Sequence, residues 1–492
     1  MRRTWSLVLA TLLLAAASVQ AGTLGRLVGT ITDNQEVALP GVTVTVSSER
    51  LLGGPQVAVT DERGGFMLHF LPVGVYTVAA ALDGFVPVTA EVRVGLDRTA
   101  SVELTMVPAR FEGSVEVTAE VPLVDTRQVG TQVVMDQTFL ERAAVGMDGR
   151  DFLSLMTTLP GVAGGATPSV YGSTSSDNRY LLDGLSITDP AFGGLWRLPV
   201  NRDAIDELAV HTGGFEAEYG QGVGAVVNVV TRSGGNDFTG TLDARYRDER
   251  LVEEGEHFDR DAQASSRRVL SATLGGPVLR DRLWFFAAVD STVDRHQDEG
   301  APVPYDDETR SWFGKLSWQV GASRLVLKGS SWAQTIDGFN SSRFITASAS
   351  KTQQVDFDVW QLESSSVLSD RALLEAQVGS FWSPGEEYPT SASRDTVGHY
   401  NLDTEVLSEA AVWVAREDTA RDELRLAVSL FAEGAGDHEL KLGADYQRLG
   451  YELQGAQPGG MQAQDRIPPP GFVDLNGDGF YTQQVYEMTM DD

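Results

Sequence analysis

A strict alternation of apolar and polar residues runs through the second half of this 492-residue chain. The same period of two recurs in several stretches, at residues 238–246, 312–320, 424–430 and 440–446. Because successive side chains of a strand point to opposite faces, this period predicts long antiparallel β-strands from about residue 236 onward. Alternation alone leaves two alternatives open: a soluble sheet whose polar face meets water, or a membrane barrel whose polar face lines a wet lumen.

The composition excludes several classes of function. With 38 Lys and Arg against 69 Asp and Glu, the formal net charge is −31, which disfavours binding to nucleic acid or to anionic lipid headgroups through a basic surface. The sequence contains no cysteine, which excludes disulfides, thiolate catalysis and cysteine-ligated metal centres. The 51 glycines favour turns and strands, and the six histidines leave little for histidine-based catalysis.

The first 21 residues have the features of a secretory signal sequence. Arg2 and Arg3 precede an apolar run at residues 7–17, and Ala21 ends the short stretch expected to contain the cleavage site. The mature chain is therefore predicted to start at Gly22. The run is too short to span a bilayer stably, and no later stretch approaches the ~18 apolar residues of a transmembrane helix. A membrane anchor is the alternative to cleavage, and the composition suits the envelope of a Gram-negative bacterium.

Residues 22–108 are predicted to form a small β-sandwich. Valine and threonine alternate over residues 42–46, and turn signals recur at the roughly 8–12-residue spacing of all-β sandwiches. Ordered blocks at residues 29–33, 39–42, 60–66 and 71–76 resemble the carboxypeptidase regulatory-like domain. The resemblance implies an Ig-like or prealbumin-like sandwich without catalytic activity, and we expect the segment to fold alone.

Residues 121–235 carry the most specific motifs. Short helices are expected at 138–142 and 150–156. A Leu-Asp-Gly turn, a strand at 205–210 with the sequence Ile-Asp-Glu-Leu-Ala-Val and a glycine-rich segment then follow in order. The series resembles the α+β plug domain of TonB-dependent outer-membrane receptors of the Oar-like branch. The positions that carry the motif are Asp183, Gly184, Tyr219, Gly220, Gly222, Gly224 and Asn228.

The glycines of residues 220–224 also fit a loose nucleotide-binding loop. No Lys-Ser or Lys-Thr pair follows them, and the next stretch has the pattern of a strand. Phosphate binding of that kind needs a helix N-terminus. A structural role is the simpler interpretation, because glycine permits tight turns and close backbone packing.

The resemblance implies a function as well as a fold. The chain would be mainly β, with a plug inside a transmembrane antiparallel β-barrel whose first part is residues 236–492, and with the N-terminal domain in the periplasm. In such receptors the plug blocks the barrel, an inner-membrane TonB-type protein pulls on a segment near the plug's N-terminus, and a ligand passes. Nothing is chemically transformed, so no catalytic residue and no cofactor are expected. An adhesion or structural surface protein of the same scaffold is the alternative.

The resemblance also implies partners. Within the linker at residues 109–120, a stretch of β-forming residues is TonB-box-like and is predicted to bind the energy-transducing protein by adding a strand to it; it comprises Val115, Glu116, Val117, Thr118 and Ala119. A plain linker strand is the alternative. The other implied partners are outer-membrane lipid and an unknown ligand, which is a peptide, a glycan or a metal chelate.

Further features of residues 236–492 suit a barrel. A hairpin is expected with its turn at residues 280–282, and aromatic residues near strand ends are expected to form interfacial girdles; these are Trp284, Phe285, Trp312, Trp332 and Trp382. We count about ten strand candidates, whereas plugged transporter barrels need ~22 strands. The sequence is therefore expected to be the N-terminal part of a longer receptor or a truncated gene product.

Two stretches resemble metal sites. Asp474, Asn476 and Asp478 stand at positions 1, 3 and 5 of a calcium-loop pattern, with Gly479 at position 6. Because Val485 stands at position 12, where glutamate would chelate, an acidic turn in an external loop is the simpler interpretation. Residues 296–299 fit an H-x-x-E zinc pattern with further histidines downstream, but no rigid element orients those ligands. An exported peptidase therefore lacks a credible site.

Overall fold

The computed structural model describes most of the chain between residues 24 and 487. The described residues are 24–48, 51, 54–72, 74–95, 99–109, 131–142, 152–164, 168–195, 202–213, 224–251, 265–369, 371–390, 395–411, 413–433, 437–458, 461–466 and 481–487. They form three units, which we call the sandwich, the central unit and the large sheet.

The sandwich consists of seven strands in two sheets. The strands are β1 (Leu24–Asp33), β2 (Thr43–Ser47), β3 (Gln56–Val59), β4 (Gly65–Pro72), β5 (Gly74–Ala81), β6 (Val88–Val94) and β7 (Thr99–Met106). Their orders are β4-β1-β7 and β3-β2-β5-β6, and the β1–β7 pair is parallel. Val42, Val44 and Val46 are fully buried between the sheets. The predicted sandwich and its alternation are therefore present.

The central unit is a five-stranded mixed sheet with two short helices. Its elements are β8 (Thr131–Asp136), α1 (Gln137–Arg142), α2 (Phe152–Met156), β9 (Val162–Ala163), β10 (Ser169–Val170), β11 (Arg179–Leu182), β12 (Leu185–Ser186), β13 (Ile205–Gly213) and β14 (Val226–Thr231). The sheet order is β12-β11-β14-β13-β8. Every residue of β14 is buried, so the sheet is covered on both faces. Within the described part of the chain, no helix has the length and apolar character needed to cross a membrane.

The large sheet contains nine antiparallel strands, and a smaller four-stranded sheet accompanies it. The strands in chain order are β15 (Thr239–Asp248), β16 (Ser265–Leu279), β17 (Leu283–His296), β18 (Tyr305–Val320), β19 (Ser323–Asp337), β20 (Lys351–Ser369), β21 (Ala372–Pro389), β22 (Gly398–Asn401), β23 (Leu407–Ser408), β24 (Val414–Glu433), β25 (Asp437–Ala456), β26 (Met461–Arg466) and β27 (Tyr481–Glu487). The large sheet has the order β15-β16-β17-β18-β19-β20-β21-β24-β25, and the smaller sheet has the order β23-β22-β26-β27.

The two ends of the large sheet differ in their connections. At one end the links are short, at residues 280–282, 321–322 and 370–371; we call this the short-turn end. The predicted hairpin turn at 280–282 is confirmed, with Asp281 in the left-handed region at φ +62°. At the opposite, long-loop end the links are residues 297–304, 338–350 and 390–413.

The alternation in sequence corresponds to two chemically different faces of the large sheet. On β18, Trp312 and Trp318 are 53% and 49% exposed, whereas Lys315 and Ser317 on the opposite face are 7% and 1% exposed. The two tryptophans thus point outward, whereas the inward face carries polar side chains together with aromatic ones such as Phe313, which join the core of the central unit. An outward face of large apolar residues is the reverse of a soluble sheet, whose outer face is polar.

Two of the five aromatic residues predicted for the girdles lie elsewhere. Trp284 is 1% exposed and faces inward, where its indole N–H donates a hydrogen bond of 2.8 Å to Asn236 Oδ1. Trp332 is partly buried against the core of the central unit. The girdle prediction was wrong for both residues for the same reason, because proximity to a strand end does not determine which face of the sheet a side chain occupies. Trp312 and Trp382 are exposed on the outward face.

Candidate functional site between the central unit and the large sheet

The Asp183-Gly184 turn of the central unit packs against the inward face of the large sheet. It joins β11 to β12, and both residues have positive φ, +47° and +86°, as a two-residue hairpin turn requires. The Gly184 N–H donates to Asn228 Oδ1 at 3.2 Å, which ties the turn to β14. From the large sheet, the side-chain amides of Gln361 and Gln377 donate to the Asp183 carbonyl at 3.0 and 3.2 Å.

The Asp183 side chain enters a buried cluster of charges. Its Oδ2 lies 2.8 Å from Lys328 Nζ and 4.0 Å from Lys315 Nζ, and Lys328 also pairs with Glu363. All four side chains are at most 7% exposed. Two carboxylates therefore balance two ammonium groups, which is the condition under which buried charges are tolerated.

Thr231, the last residue of β14, completes the cluster. Its N–H and hydroxyl donate to the two Asp183 oxygens at 2.9 and 2.5 Å. Lys315 Nζ donates to the Thr231 carbonyl at 2.9 Å. Burial raises the pKa of Asp183, but the charges of Lys315 and Lys328 and the hydrogen bonds outweigh burial and lower that pKa to about 2. Asp183 is therefore an anion at neutral pH.

The large sheet contributes one row of residues to the site, each paired with the next across neighbouring strands. Lys315 pairs with Lys328, Lys328 with Gln361, Gln361 with Gly379, and Gly379 with Glu423. Like charges directly opposite on neighbouring strands are unfavourable, so the two lysines depend on the carboxylate that the central unit supplies. At Gly379 the row has no side chain, and Leu185 occupies that space: a Cβ there would lie 2.9 Å from Leu185 Cδ1.

A second polar contact lies at the other end of the row. Glu423 accepts a hydrogen bond from the Ser186 N–H at 3.3 Å, and Arg421 donates to the Ser186 hydroxyl. Arg425 bridges Glu423 and Asp445, at 2.9 and 3.3 Å. Burial lowers the pKa of Arg179 in β11, although nearby Glu423 favours its charged form. The β11–β12 hairpin is thus held by charged groups on both sides.

A cavity of about 150 Å³ lies between the central unit and the long-loop end of the large sheet. The central unit contributes residues that follow β12, and the large sheet contributes the ends of β20, β21 and β24 that lie next to the long loops. The described residues that line it are Ile187, Asp189, Leu195, Gln353, Val355, Phe357, Phe381, Ser383, Gly385, Glu386, Glu387, Ala415, Glu417 and Thr419.

The structure brings together three of the residues singled out from the sequence. Asp183, Gly184 and Asn228 meet at the turn. Gly224 lies apart from them, beside Asn178 just before β11, where a Cβ would be 2.6 Å from Asn178 Oδ1 and would displace that side chain. The remaining predicted site residues lie outside the described residues; they are Val115, Glu116, Val117, Thr118, Ala119, Tyr219, Gly220, Gly222, Asp474, Asn476 and Asp478, as does the predicted signal sequence at residues 1–21.

Sequence reasoning missed Lys315, Lys328, Glu363, Gln361 and Gln377 as site residues. The sequence feature that could have identified them is a charged or amide side chain on the inward face of a strand whose residues alternate in polarity. As for metals, no three His, Asp or Glu side chains among the described residues are close enough to hold an ion. In the H-x-x-E stretch, the His296 ring instead lies against Tyr305, with centroids 4.5 Å apart.

Comparison with known proteins agrees with the motifs. The family described as carboxypeptidase regulatory-like domain matches residues 26–107. The TonB-dependent transporter Oar of Myxococcus xanthus is 34% identical over 313 residues, which cover 60% of this chain and 29% of that protein. The chain thus spans less than a third of the curated relative.

The fold is also found in a solved structure. The outer membrane transporter YddB from Escherichia coli is 14% identical, with a TM-score of 0.55 over 68% of this chain and 50% of that chain. The siderophore receptor PirA from Acinetobacter baumannii is 15% identical, with a TM-score of 0.49 over 65% of this chain and 48% of that chain.

The predicted fold class, mainly β with a sandwich followed by a large barrel-like sheet, is confirmed. Oar and YddB are both described as transporters and not as enzymes, and YddB as one of the outer membrane, in agreement with the predicted function class and location. The chain is a homologue of the TonB-dependent transporter Oar, with a carboxypeptidase regulatory-like domain near its N-terminus.

Proposed function

We propose that this chain functions in TonB-dependent uptake of a ligand across the bacterial outer membrane. In this proposal the central unit is the plug, within residues 121–235, the large sheet is part of the barrel wall, within residues 236–492, and the sandwich, residues 22–108, lies in the periplasm. The observation that supports it most is the buried, charge-balanced contact of Asp183 with Lys315, Lys328 and Glu363.

A polar contact suits a plug that must first close a pore and then move. Coulomb attraction between buried ions is largely offset by the cost of removing them from water. When water enters the contact, the separated Asp183, Lys315 and Lys328 regain their hydration, whereas separated apolar faces would not. The cluster therefore defines one closed position while keeping the free-energy cost of opening moderate.

Movement of the plug can be tested without knowing the ligand. Because the chain has no cysteine of its own, a maleimide reacts only with a cysteine that is introduced. Leu185 is 1% exposed and lies under the wall at Gly379. We expect a Leu185→Cys variant in living cells to react with a membrane-impermeant maleimide faster when the proton-motive force is intact than after a protonophore. The control is Arg343→Cys in the exposed link between β19 and β20, whose rate should not change.

The partner is tested by capture with the C-terminal domain of the TonB-type protein. Strand addition depends on main-chain hydrogen bonds, so Val117→Pro should abolish capture, because proline removes a donor and fixes φ. Glu116→Ala should weaken capture by less than about fivefold, as expected of a rim contact worth under ~1 kcal/mol. Wild-type capture by Val117→Pro would mean that residues 115–119 are a linker.

The alternative is an adhesion or structural surface protein of the same scaffold. It predicts equal labelling of Leu185→Cys with and without the proton-motive force, and no capture by the TonB-type domain. Either pair of results separates the two functions.

A further inference from the structure

Strand β8 lies at the edge of the sheet of the central unit, and it is the first described strand after the linker. Within the described sheet it pairs with β13 alone, from Asp136 opposite Glu207 to Thr131 opposite Gly213. The register of this ladder shifts between His211 and Gly213, at the end nearest the linker. Proteins open locally where few contacts hold an element, so β8 is the strand of this sheet that detaches most easily.

The other end of this ladder carries two carboxylates. Asp136 of β8 stands directly opposite Glu207 of β13, and the Glu207 side chain is fully buried. Like charges directly opposite on neighbouring strands are unfavourable. Asp136 is held in place by helix α1, because its Oδ1 accepts a hydrogen bond of 2.9 Å from the Phe139 N–H. A cation at this end of the ladder therefore strengthens the attachment of β8 to β13.

The sandwich supplies such a cation. One terminal nitrogen of the Arg93 guanidinium lies 3.3 Å from Asp136 Oδ2, and the other lies 3.8 Å from Glu207 Oε2. A planar guanidinium presents its N–H groups in a fixed fork, which allows one side chain to contact both strands of the ladder. Arg93 belongs to a unit with a hydrophobic core of its own. A group from outside the central unit thus bridges its edge strand to the next strand, and we call this contact the Arg93 bridge.

We propose that the sandwich controls the release of β8 from the central unit through the Arg93 bridge. The inference rests on the proposed function, because it takes the linker as the segment on which the TonB-type partner pulls. Tension on the linker reaches β8 at Thr131, and the ladder opens from there toward Asp136, where the bridge resists. The sandwich lies on the other side of the same linker, so the same tension draws Arg93 away and frees the strand.

Release of β8 opens the central unit at a defined place. Met135 of β8 is 1% exposed and belongs to the core that the central unit shares with the large sheet. On the other face of the strand pair, Val134 packs against the buried Ala209 of β13. Departure of the strand removes both side chains from their contacts, so the Arg93 bridge keeps this part of the core closed until the linker is under tension.

The first test is hydrogen–deuterium exchange of the full chain in detergent micelles, followed on peptides that contain β8. We expect Arg93→Ala to raise the exchange rate of the β8 amides about threefold to fivefold, the size expected of a partly exposed ion pair, and to leave the amides of β11 and β14 unchanged. Arg93→Lys should give an intermediate rate, because an ammonium group lacks the fork that reaches both carboxylates. Arg63→Ala, on an exposed turn of the sandwich, is the control and should not alter the exchange of β8.

A second background separates the effect of charge from the effect of packing. Asp136→Asn keeps the side-chain oxygen that accepts the bond from α1, because asparagine and aspartate are equally good at the start of a helix, but it removes one of the two opposed charges. In that background Arg93→Ala should change the exchange of β8 by less than twofold. An unchanged rate in Arg93→Ala alone, or an equal effect in the two backgrounds, would overturn the proposal.

The role of tension is tested by pulling on single molecules. Handles at Val117→Cys in the linker and Arg343→Cys in the large-sheet unit load the linker against the central unit. We expect the first rupture to occur at a lower force with Arg93→Ala than with arginine, and equal forces would overturn the proposal. If labelling of Leu185→Cys depends on the proton-motive force but β8 is insensitive to Arg93→Ala, the Arg93 bridge alone fails. If β8 responds but the labelling is insensitive, the transport proposal alone fails.

Discussion

At the scale of single residues, Asp183 is the group on which the closed contact depends. It is the carboxylate that the central unit inserts between Lys315 and Lys328, which pair directly on β18 and β19. Without it, two buried ammonium groups would face Glu363 alone in this cluster. Removal of one partner from a buried pair is costly because it leaves an uncompensated charge.

Asp183→Asn keeps the shape of the side chain and removes its charge. We expect it to destabilise the central unit by about 3–5 kcal/mol, because one buried ammonium loses its counter-ion. The measurement is urea unfolding in micelles, followed by tryptophan fluorescence. Asp243→Asn is the control: its salt bridge with Arg245 is partly exposed and local to β15, and its loss should cost under ~1 kcal/mol. Equal effects of the two variants would contradict the cluster's role.

The pKa of Asp183 predicts a pH dependence with a defined sign. Its ordinary value of 3.8 is lowered to about 2 in the folded protein, so the unfolded state takes up the proton first as pH falls. The stabilisation by this carboxylate is therefore complete above about pH 5 and is lost between about pH 4 and pH 2. We expect the stability difference between wild type and Asp183→Asn to shrink as the pH falls from about 5 to about 2. A difference that stays the same over that interval would contradict this assignment.

At the scale of elements, the β11–β12 hairpin fits a gap in the row of wall residues. That gap exists because β21 has glycine at position 379, where a Cβ would also lie 2.9 Å from the Trp360 carbonyl oxygen. Neighbouring rows are filled with side chains, so the hairpin is positioned by shape as well as by charge. Interiors this close-packed do not absorb an extra methyl group without shifts.

Gly379→Ala should therefore displace the hairpin. We expect a loss of about 1–3 kcal/mol in the stability of the contact and faster maleimide labelling at nearby positions of β12. Gly314→Ala is the matched control, because a Cβ at residue 314 of β18 meets nothing within 4 Å. Leu185→Ala in the Gly379→Ala background should recover part of the loss. Absence of this coupling would mean that the two residues do not share the space.

Part of this arrangement is readable from the sequence, and part is not. The Asp183-Gly184 turn, strand β14 and the 280–282 hairpin were predictable because each is encoded by local residues. The meeting of Lys315, Lys328 and Glu363 was not, because it depends on the register of three strands. Alternation shows that these residues share a face, but not which row meets the turn of the central unit. Trp284 was misplaced for a related reason: its face follows from the register and not from its position near a strand end.

At the scale of the whole molecule, the sandwich and the central unit have separate hydrophobic cores. The sandwich core contains buried residues between Leu27 and Met106, whereas the core of the central unit is shared with inward aromatic residues of the large sheet. The two units meet at Arg93 of β6, whose guanidinium lies 3.3 Å from Asp136 and 3.8 Å from Glu207. Because the cores are separate, we expect this ion pair to position the sandwich without making its folding depend on the rest of the chain.

Arg93→Ala should free the sandwich from the central unit while leaving both folded. Because Arg93 and Asp136 are 38% and 33% exposed, their pair contributes under ~1 kcal/mol. Its loss should therefore appear as a broader range of positions of the sandwich and not as unfolding. Spin labels are placed at Glu91→Cys and Thr138→Cys, both on exposed residues. The distribution of distances between them should be narrower when residue 93 is arginine than when it is alanine. Adding 0.5 M NaCl should broaden the distribution of the arginine protein by screening the ion pair. Arg63→Ala, on an exposed turn of the sandwich, should leave the distribution unchanged. If Arg93→Ala and Arg63→Ala give the same distribution, the ion pair does not position the domain, and the sandwich is held by the chain connection alone.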